Sequence, residues 1–557
     1  MDGGTVSGEV EAVRRRAAEL AASFSPVARR SATIAQERAL LRMLGVDGLD
    51  RAGHPLAESV AERYCSPDRD RLATGVILPF AVALIEYDLP ARELALEVAS
   101  GAIDLGLEAE LLERPGRLAA ADAHASLLLA AALARFDANR TATRDLSDVL
   151  GFPDEPWLGV TLNAADVAPA AEETRGLVGE GAEVVQIRVP ASWEFAEARR
   201  QAGLETPGLF GFEARTEEAA KRSRGRRPVA RLAERRLGGG ARPATPPPRF
   251  ERDLVPAGSQ RGLAAIRKAA DNAAAERGCY VSLMTVASAF AAPEQAVVAA
   301  FERVDLVEAD PIREIVEDNV DPERALADHA FANWLQARAG CRVVMGAGPL
   351  VIGADVASGI PSDAATRAGR ALALQAVGVE LALADGLAVD RLLLGAVPRW
   401  IAGDGDTSAI LVQAWLRRIV FPGHRLVLDE PHADDRPQGR TSNLVAALSG
   451  AAASIVVRDR MAGGVSESAA KLRAAASTAA ALRTALSDGA LHGSADELAM
   501  RTLRAATSTL EHLAGEGWGS LLGPAGRDSE AERFVRGAVV ERAMGATSSG
   551  RLLAALK

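Results

Sequence analysis

Three side chains that suit the binding of a phosphate group follow two neighbouring apolar runs of the sequence. Arg188 lies at the end of one run and Ser192 follows it, and Ser288 follows the next run. A guanidinium and two hydroxyls can hold a phosphate monoester through charge-assisted hydrogen bonds, without a metal ion. An arginine in such a place can equally pair with a nearby carboxylate, so both interpretations stay open.

Acidic side chains follow two further runs. Glu308 is the last residue of one of them and Asp310 follows it, and Asp429, Glu430 and His432 follow the other. Carboxylates with one histidine could hold a hard divalent ion, although acidic residues at such positions are also common as helix caps and solvated loop residues. The sequence has no GxGxxG after a predicted strand, no P-loop and no HExxH, so these nucleotide and metalloprotease signals are absent.

The runs that precede these residues are predicted to be strands covered on both faces, because they are rich in Val, Leu and Ile and lack period-2 alternation. The eight predicted strands are Leu158–Leu162, Glu183–Val189, Cys279–Thr285, Val304–Glu308, Arg342–Ala347, Val389–Val397, Arg425–Leu428 and Ser454–Val457. Alanine-rich helical segments separate them, and this alternation predicts a (β/α)8 TIM barrel. An open doubly wound sheet can show the same alternation and is the alternative.

In such a barrel the carboxyl ends of all the strands meet at one face, where the chemistry of this fold takes place. The candidate residues follow those ends. We therefore expect them to line one polar mouth that carries both signs of charge.

Three regions are predicted along the chain. Residues 1–150 form a helical region, residues 151–490 form the barrel, and residues 491–557 form a helical appendage suited to a subunit interface. A long insertion at 195–258 interrupts the barrel, and its stretch 213–242 is dense in arginine. That stretch is either a solvated, partly disordered insertion or a basic lid or docking strip. Helices outside the barrel are predicted at 1–25, 56–64, 71–87, 91–99, 107–136, 494–514 and 528–556, with a polar connector at 137–156.

Composition limits the classes of function. The 557-residue chain has a formal charge of −10 and a pI near 5.5, which argues against binding to nucleic acid. Its three cysteines form no CxxC pair, so neither a disulfide framework nor a cysteine zinc site is indicated. The sequence shows no apolar leader and no uninterrupted run of about 18 apolar residues, which predicts a cytoplasmic protein outside the membrane.

One segment carries a resemblance to a known family. Residues 33–50, TIAQERALLRMLGVDGLD, resemble the N-terminal motif of the large (alpha) subunit of lysine 5,6-aminomutase, as do His54–Leu56 and Ala99–Leu105. Weaker similarity continues through Gly181–Arg188 and into the barrel. The resemblance implies a barrel enzyme, an isomerase that uses adenosylcobalamin and pyridoxal 5′-phosphate (PLP) for radical 1,2-amino migration.

The resemblance also implies a partner chain. In this family a small (beta) subunit carries the cobalamin-binding DxHxxG motif and the lysine that binds PLP covalently, so a hetero-oligomer is expected. The present chain has no DxHxxG, and none of its four lysines lies at a predicted strand end. A PLP enzyme normally needs such a lysine, which here would come from the partner.

The family's site residues transfer only in part. By resemblance, its phosphate-binding arginine and serines fall on Arg188, Ser192 and Ser288. The tyrosine that stacks on the PLP ring falls on Arg313, and the arginine that holds the substrate carboxylate falls on Asp318. These departures imply either a different amine substrate or the loss of the PLP step.

Asp310, Asp318 and Glu430 are the candidates for binding the amine or polar groups of a small-molecule substrate. The main hypothesis is an aminomutase-like subunit that depends on adenosylcobalamin. A metal-dependent TIM-barrel lyase or hydrolase and a non-catalytic paralogue of an aminomutase alpha subunit are the alternatives.

Overall fold

A closed barrel of parallel strands lies at the centre of the computed structural model. The model describes residues 3–51, 53–66, 68–162, 167–188, 259–287, 289–316, 318–346, 363–396, 407–429, 446–457, 464–485, 494–518 and 539–542. The predicted insertion at 195–258, with its arginine-rich stretch 213–242, lies outside the described residues.

The barrel has eight strands in sequential order. They are β2 (Trp157–Thr161), β3 (Val184–Arg188), β4 (Ser282–Val286), β5 (Leu306–Glu308), β6 (Arg342–Met345), β7 (Leu392–Ala396), β8 (Arg425–Asp429) and β9 (Ala453–Val457). Two further strands, β1 (Ser31–Thr33) and β10 (Val539–Glu541), form a separate antiparallel pair. All eight predicted barrel strands are confirmed, with ends that differ by up to three residues.

The pairing of β2 with β9 closes the barrel. Trp157 lies opposite Ala453 and Thr161 lies opposite Val457, in parallel register. An open sheet would leave two edge strands with unpaired backbone groups, whereas here every strand has two neighbours. The predicted TIM barrel is therefore confirmed, and the open doubly wound sheet is wrong.

Alternate residues of the strands fill the barrel interior. A cluster of buried side chains takes at least one member from every strand: Trp157, Val184, Met284, Leu306, Val344, Leu393, Val427, Ala453 and Ile455. Since side chains in a strand alternate between its two faces, this cluster identifies the inward-facing positions. Arg188 and Glu308 belong to that inward-facing set, because they follow Val184 and Leu306 by even steps.

Helices surround the barrel and extend it on one side. They are α1 (Gly3–Arg30), α2 (Ile34–Met43), α3 (Leu56–Cys65), α4 (Arg69–Thr74), α5 (Ile77–Tyr87), α6 (Ala91–Ser100), α7 (Leu105–Ala109), α8 (Arg117–Leu150), α9 (Val167–Glu180), α10 (Gln260–Arg277), α11 (Ala292–Phe301), α12 (Pro311–Val316), α13 (Pro322–Ala339), α14 (Ala364–Ala384), α15 (Thr407–Val420), α16 (Gly464–Ala485) and α17 (Ser494–Glu516). Short 3₁₀ turns occupy Glu110–Glu113 and Val389–Arg391. The second of these replaces the start predicted for β7.

Two outer cores hold these helices on the barrel. One core joins α1 and α17 to the layer between strands and barrel helices, through residues such as Val13 and Leu503. The other core packs α2 to α8 against α11 and α13, through residues such as Leu40, Phe136 and Phe331. The N-terminal helices therefore pack on the barrel.

Helix α8 differs from the prediction. It continues to Leu150, so most of the predicted polar connector 137–156 is helical. Polar residues lower helix propensity without stopping a helix, and no glycine or proline interrupts the chain before Gly151 and Pro153. In the opposite sense, the helix predicted over 71–87 is divided at Gly75, which adopts a positive φ.

A further difference concerns the C-terminal appendage. Residues 528–556 are predicted to be helical, but the described part of this stretch contains β10, which pairs antiparallel with β1. The helix prediction is therefore wrong for Val539–Glu541. Two adjacent valines fit a strand, and a tertiary pairing partner overrides a local preference that sequence periodicity alone cannot reveal.

Among the described residues, one helix has the length and apolar composition that would allow it to cross a membrane, namely α8. One of its faces packs in the second outer core through Ala125, Leu129 and Phe136. Core helices of proteins without membrane spans have the same length and composition, so this property alone is weak evidence for a span.

Gly369 tests the packing of α14 on α17. A Cβ added there would lie 2.4 Å from the Thr502 carbonyl oxygen and 2.8 Å from the Ala506 amide nitrogen. Because backbone atoms cannot move aside as a side-chain tip can, we expect Gly369→Ala to lower the free energy of unfolding by about 1–3 kcal/mol. Urea denaturation measures this change.

Gly176 in α9 is the matched control. A Cβ added there meets nothing within 4 Å. We therefore expect Gly176→Ala to raise the free energy of unfolding by about 0.4–1 kcal/mol, because alanine restricts the unfolded chain. Similar changes in the two variants would contradict the close approach of α14 and α17.

Candidate functional site at the barrel mouth

Arg188 lies at the carboxyl end of β3 on the inward-facing set of positions. It is solvent-exposed. Val286 of β4 is its register partner, and Val286 is in turn in register with Glu308 of β5. Within the described part of the chain, the side chain of Arg188 has no ion-pair or hydrogen-bond partner. A cation with no carboxylate beside it among the described residues is suited to receive an anionic group.

Beneath Arg188 the barrel is closed by a polar layer and then by the apolar cluster. The Thr161 hydroxyl donates a hydrogen bond of 2.6 Å to Oε1 of Gln186, and both side chains are buried. Nε2 of Gln186 lies 3.9 Å from Sδ of Met284, in the apolar cluster below. Among the described residues, the barrel interior beneath Arg188 is filled, which leaves the carboxyl face of the strands for the approach of a ligand.

Glu308 is engaged by Arg313. Nη1 of Arg313 lies 2.8 Å from Oε1 of Glu308, and about one third of the Arg313 side chain is exposed. The charges of these two side chains cancel at the rim, two strands away from Arg188. The position where the family resemblance expects a ring-stacking tyrosine thus holds one half of an ion pair.

Asp310 caps a helix. Its Oδ1 accepts hydrogen bonds from the backbone N–H groups of Ile312 (2.9 Å) and Arg313 (3.3 Å) at the start of α12. The residue is only 5% exposed, and Oδ2 has no hydrogen-bond partner in the described part of the molecule. Burial raises the pKa of Asp310 to about 7, although His329, Arg313 and the two backbone hydrogen bonds oppose this shift. Its predicted contact with substrate remains a prediction.

A buried polar cluster behind Asp310 was missed by sequence reasoning. His329 and Asn333 stand one turn apart on α13, and Nε2 of His329 lies 3.0 Å from Oε1 of Glu314. Burial lowers the pKa of His329, but Glu314 outweighs it and the net shift is upward. Asn333 donates to Asp385 at 3.2 Å, and burial raises the pKa of Asp385 to about 6. Nothing in the sequence spacing pairs α12, α13 and the end of α14.

The other predicted site residues are only partly accounted for. Asp318 is half-buried in the turn between α12 and α13, next to Asn319 with its φ of +54°. Ser192, Ser288 and Glu430 lie outside the described residues, so their roles remain predictions. No group of three or more His, Cys, Asp or Glu side chains suited to a metal ion occurs among the residues that the structure describes.

The lysines that the structure describes lie on the outside. Lys268 is exposed on α10. Lys471 is on α16, where it forms an ion pair with Glu467. Both positions are on helices, away from the carboxyl ends of the strands.

The shifted pKa of Asp310 predicts a pH dependence of stability. Because the folded protein keeps the proton up to about pH 7 and the unfolded chain releases it near pH 3.8, the free energy of unfolding falls as the pH rises between these values. The largest slope from one group is about 1.4 kcal/mol per pH unit. Asp310→Asn retains a capping oxygen but removes the titration, so we expect its stability relative to the native chain to increase from pH 5 to pH 8 in urea denaturation.

Asp363→Asn is the matched control. Asp363 also caps a helix, accepting from the Thr366 N–H at 2.7 Å, but its pKa is lowered by that backbone hydrogen bond. Its carboxylate is ionised throughout the range from pH 5 to pH 8, so the stability difference caused by Asp363→Asn should stay constant there. A constant difference for Asp310→Asn as well would contradict the upward shift.

Comparisons with known proteins agree with this architecture. The chain is 24% identical to the lysine 5,6-aminomutase alpha subunit of Fusobacterium nucleatum over 417 residues, which cover 74% of this chain and 69% of that protein. It is 22% identical to the alpha subunit of the same name from Acetoanaerobium sticklandii, over 69% of this chain and 63% of that protein. A dihydropteroate synthase structure from Anaplasma phagocytophilum is similar at 12% identity and a TM-score of 0.32, covering 57% of this chain and 97% of that one. So low a TM-score supports no conclusion.

A family model extends over most of the chain. Its description is D-lysine 5,6-aminomutase TIM-barrel domain of alpha subunit, and it matches residues 6–192 and 257–431. The matched parts include the motif at 33–50 and the strands β2 to β8. This chain therefore belongs to the family of the TIM-barrel domain of the D-lysine 5,6-aminomutase alpha subunit.

Proposed function

We propose that this chain is the barrel subunit of an adenosylcobalamin-dependent aminomutase, which moves an amino group between adjacent carbons of an amino acid or amine. The observation that carries the proposal is Arg188, an inward-facing cation at the mouth with no carboxylate partner among the described residues. Family membership supplies the reaction class, and Arg188 supports retention of an anion-binding site in this chain.

Arg188 fits the phosphate of PLP. Its guanidinium can form two parallel hydrogen bonds to phosphate oxygens, and its charge is permanent. Ser192 and Ser288 are proposed to add hydroxyl donors, as the resemblance implies. When bound, PLP supplies a ring system that delocalises electrons and adenosylcobalamin supplies the radical.

The closed floor beneath Arg188 supports a reaction that must exclude water. The hydrogen-bonded pair of Thr161 and Gln186, with the apolar cluster below it, leaves only the carboxyl face open. A partner subunit covering that face would complete the enclosure. Reactive intermediates are protected in this way from quenching by solvent.

We propose that the partner is a small (beta) subunit with the DxHxxG motif and the reactive lysine, in a cytoplasmic hetero-oligomer. The outward positions of Lys268 and Lys471 support this division of labour, since neither is at the strand ends. The two relatives are named alpha subunits, which implies a second type of subunit in their assemblies.

The substrate is proposed to differ from lysine. Asp318 stands where the resemblance expects an arginine for the substrate carboxylate, and an acidic group there would repel a carboxylate. Asp318, with Asp310 and Glu430, would instead favour an amine or another polar hydrogen-bond donor.

Because the ion pair of Arg313 with Glu308 engages the position expected to stack on PLP, this ion pair favours a second candidate function, that of a non-catalytic paralogue. A metal-dependent lyase or hydrolase remains the weaker alternative, because no observation on the described residues favours it.

Arg188→Ala tests the phosphate site in the purified full-length chain. The variant should bind PLP about 10-fold to 100-fold more weakly, because a charge-assisted hydrogen bond contributes about 1.5–3 kcal/mol. Its affinity for pyridoxal, which lacks the phosphate, should not change. Equilibrium dialysis with each compound provides both affinities.

Arg425→Ala is the control for that measurement. Arg425 begins β8 at the opposite end of the barrel, where it forms an ion pair with Glu155. Its removal should leave both affinities unchanged. Equal losses for PLP and pyridoxal in Arg188→Ala, or no preference for PLP in the native chain, would contradict the phosphate site.

Co-purification tests the cobalamin requirement. The chain expressed with a DxHxxG-containing partner and mixed with adenosylcobalamin should show the absorbance of bound cobalamin after gel filtration. The DxHxxG histidine of the partner changed to alanine is the control. A complex that forms but retains no cobalamin would favour the non-catalytic paralogue.

A further inference from the structure

Arg38 in α2 connects the N-terminal motif to the barrel mouth. Its side chain is fully buried, and Nη2 donates a hydrogen bond of 2.5 Å to the carbonyl oxygen of Phe290. Phe290 lies in the turn between β4 and α11, on the face that carries Arg188. The motif that marks the family in the sequence therefore acts, in part, on a barrel loop more than 250 residues away along the chain.

Phe290 is held in an uncommon conformation. Its φ is +63°, in the left-handed region that a bulky residue seldom adopts. Such a conformation costs about 1–3 kcal/mol and persists only where the surroundings determine it. The hydrogen bond from Arg38 is one of the interactions that hold it.

The ring of Phe290 is held as well. The Arg324 guanidinium lies over it, 4.4 Å from the ring centroid. Nε of Arg324 is 2.6 Å from Oδ2 of Asp328, whose other oxygen accepts a hydrogen bond from the Thr33 hydroxyl. The motif at 33–50 thus contributes to both ends of Phe290, at the carbonyl through Arg38 and at the ring through Thr33.

An ion-pair network fixes Arg38 in turn. Nε of Arg38 lies 3.0 Å from Oε2 of Glu294, and Nη1 lies 3.8 Å from Oε1 of Glu58. Arg42 shares Glu294 at 2.5 Å and approaches Asp47 at 3.3 Å. Glu294 belongs to α11, so the network ties α2 to the helix that follows the turn.

The turn is also anchored on its other side. The backbone N–H of Ala287 donates to the Glu308 carbonyl at 3.0 Å, and Val286 is the register partner of Arg188. Ala289 is buried. Ser288, between them in the sequence, lies outside the described residues. The chain on both sides of Ser288 is therefore held.

We infer that Arg38 is a positioning residue for the site of the PLP phosphate: by holding Phe290 it fixes the turn after β4 beside Arg188. This inference rests on the proposed function, in which Arg188 and Ser288 bind that phosphate. Arg38 itself touches no ligand.

Arg38→Gln tests the inference against a purely structural role. The full-length variant should bind PLP about tenfold more weakly than the native chain and bind pyridoxal equally well. Amide hydrogen exchange in residues 287–291 should also become faster. A residue that only stabilises the fold would change both affinities together, or neither.

Arg267→Gln is the matched control, at the other end of the same strand. Arg267 is buried, and its Nη2 donates to the Val281 carbonyl at 3.0 Å, just before β4. Its Nη1 is 3.1 Å from Oδ2 of Asp305, so it also belongs to a buried ion pair. We expect Arg267→Gln to lower stability as Arg38→Gln does, but to leave the preference for PLP over pyridoxal unchanged.

The outcomes separate the inference from the proposed function. If the native chain prefers PLP and Arg188→Ala loses that preference, but Arg38→Gln retains it, the inference is overturned and the phosphate site stands. If the native chain shows no preference for PLP, the proposed phosphate site fails and the inference fails with it. Unchanged hydrogen exchange in residues 287–291 of Arg38→Gln would also overturn the inference.

A second variant covers the case in which Arg38→Gln does not fold. Removing Arg38 leaves Glu58 buried without this cation, whereas Glu294 keeps Arg42. The double variant Arg38→Gln/Glu58→Gln removes the charge of both partners, which avoids the cost of an uncompensated buried carboxylate. The same loss of PLP preference is expected of it, and full retention would overturn the inference.

Discussion

The parallel pairing of β2 with β9 is the constraint on which the rest of the molecule depends. It leaves no edge strand, so the backbone groups of all eight strands are hydrogen-bonded within the barrel. It also sets the inward and outward positions, which brings Arg188 and Glu308 to the same end of the same enclosed space. A mouth of this kind has a fixed floor, and its chemistry is decided by the residues that follow the strands.

Buried charge determines how the helical additions sit on this barrel. Arg38, Arg42, Glu58 and Glu294 form a network with almost no access to solvent, and burial alone would raise the pKa of Glu294. Arg42 and Arg38 outweigh that effect, and the pKa of Glu294 is lowered. Such networks contribute less to stability than hydrophobic contacts of similar size would, but they tolerate few alternative arrangements. In this molecule the network lies between the motif at 33–50 and the turn that connects β4 to α11.

The barrel was predictable because its strands are covered on both faces and therefore stand out as apolar runs. The ends of the strands were less predictable. Val389 is a residue type that favours strands, but Val389–Arg391 forms a 3₁₀ turn. The strand Val539–Glu541 could not be predicted, because its formation depends on a partner more than 500 residues away in the sequence. The same distinction applies at the site, where the sequence indicates the position of a residue but not the contacts of its side chain. Sequence order places Asp310 and Arg313 at the mouth and allows Asp310 to be a helix cap. The ion pair of Arg313 with Glu308 depends on side-chain directions that no spacing encodes.

The pairing of β1 with β10 has a consequence for biosynthesis. Ser31 lies opposite Glu541, and Arg542 adds hydrogen bonds to the Ser31 carbonyl (2.9 Å) and to Oε1 of Gln36 (2.6 Å). At the usual rates of translation, about 5–20 residues per second, the ribosome needs about 25–100 s to progress from one of these strands to the other. During that interval the backbone of β1 lacks this partner. In a chain released before β10 is translated, the pairing of β1 with β10 cannot form. The pairing of β1 with β10 therefore requires that synthesis has passed Glu541.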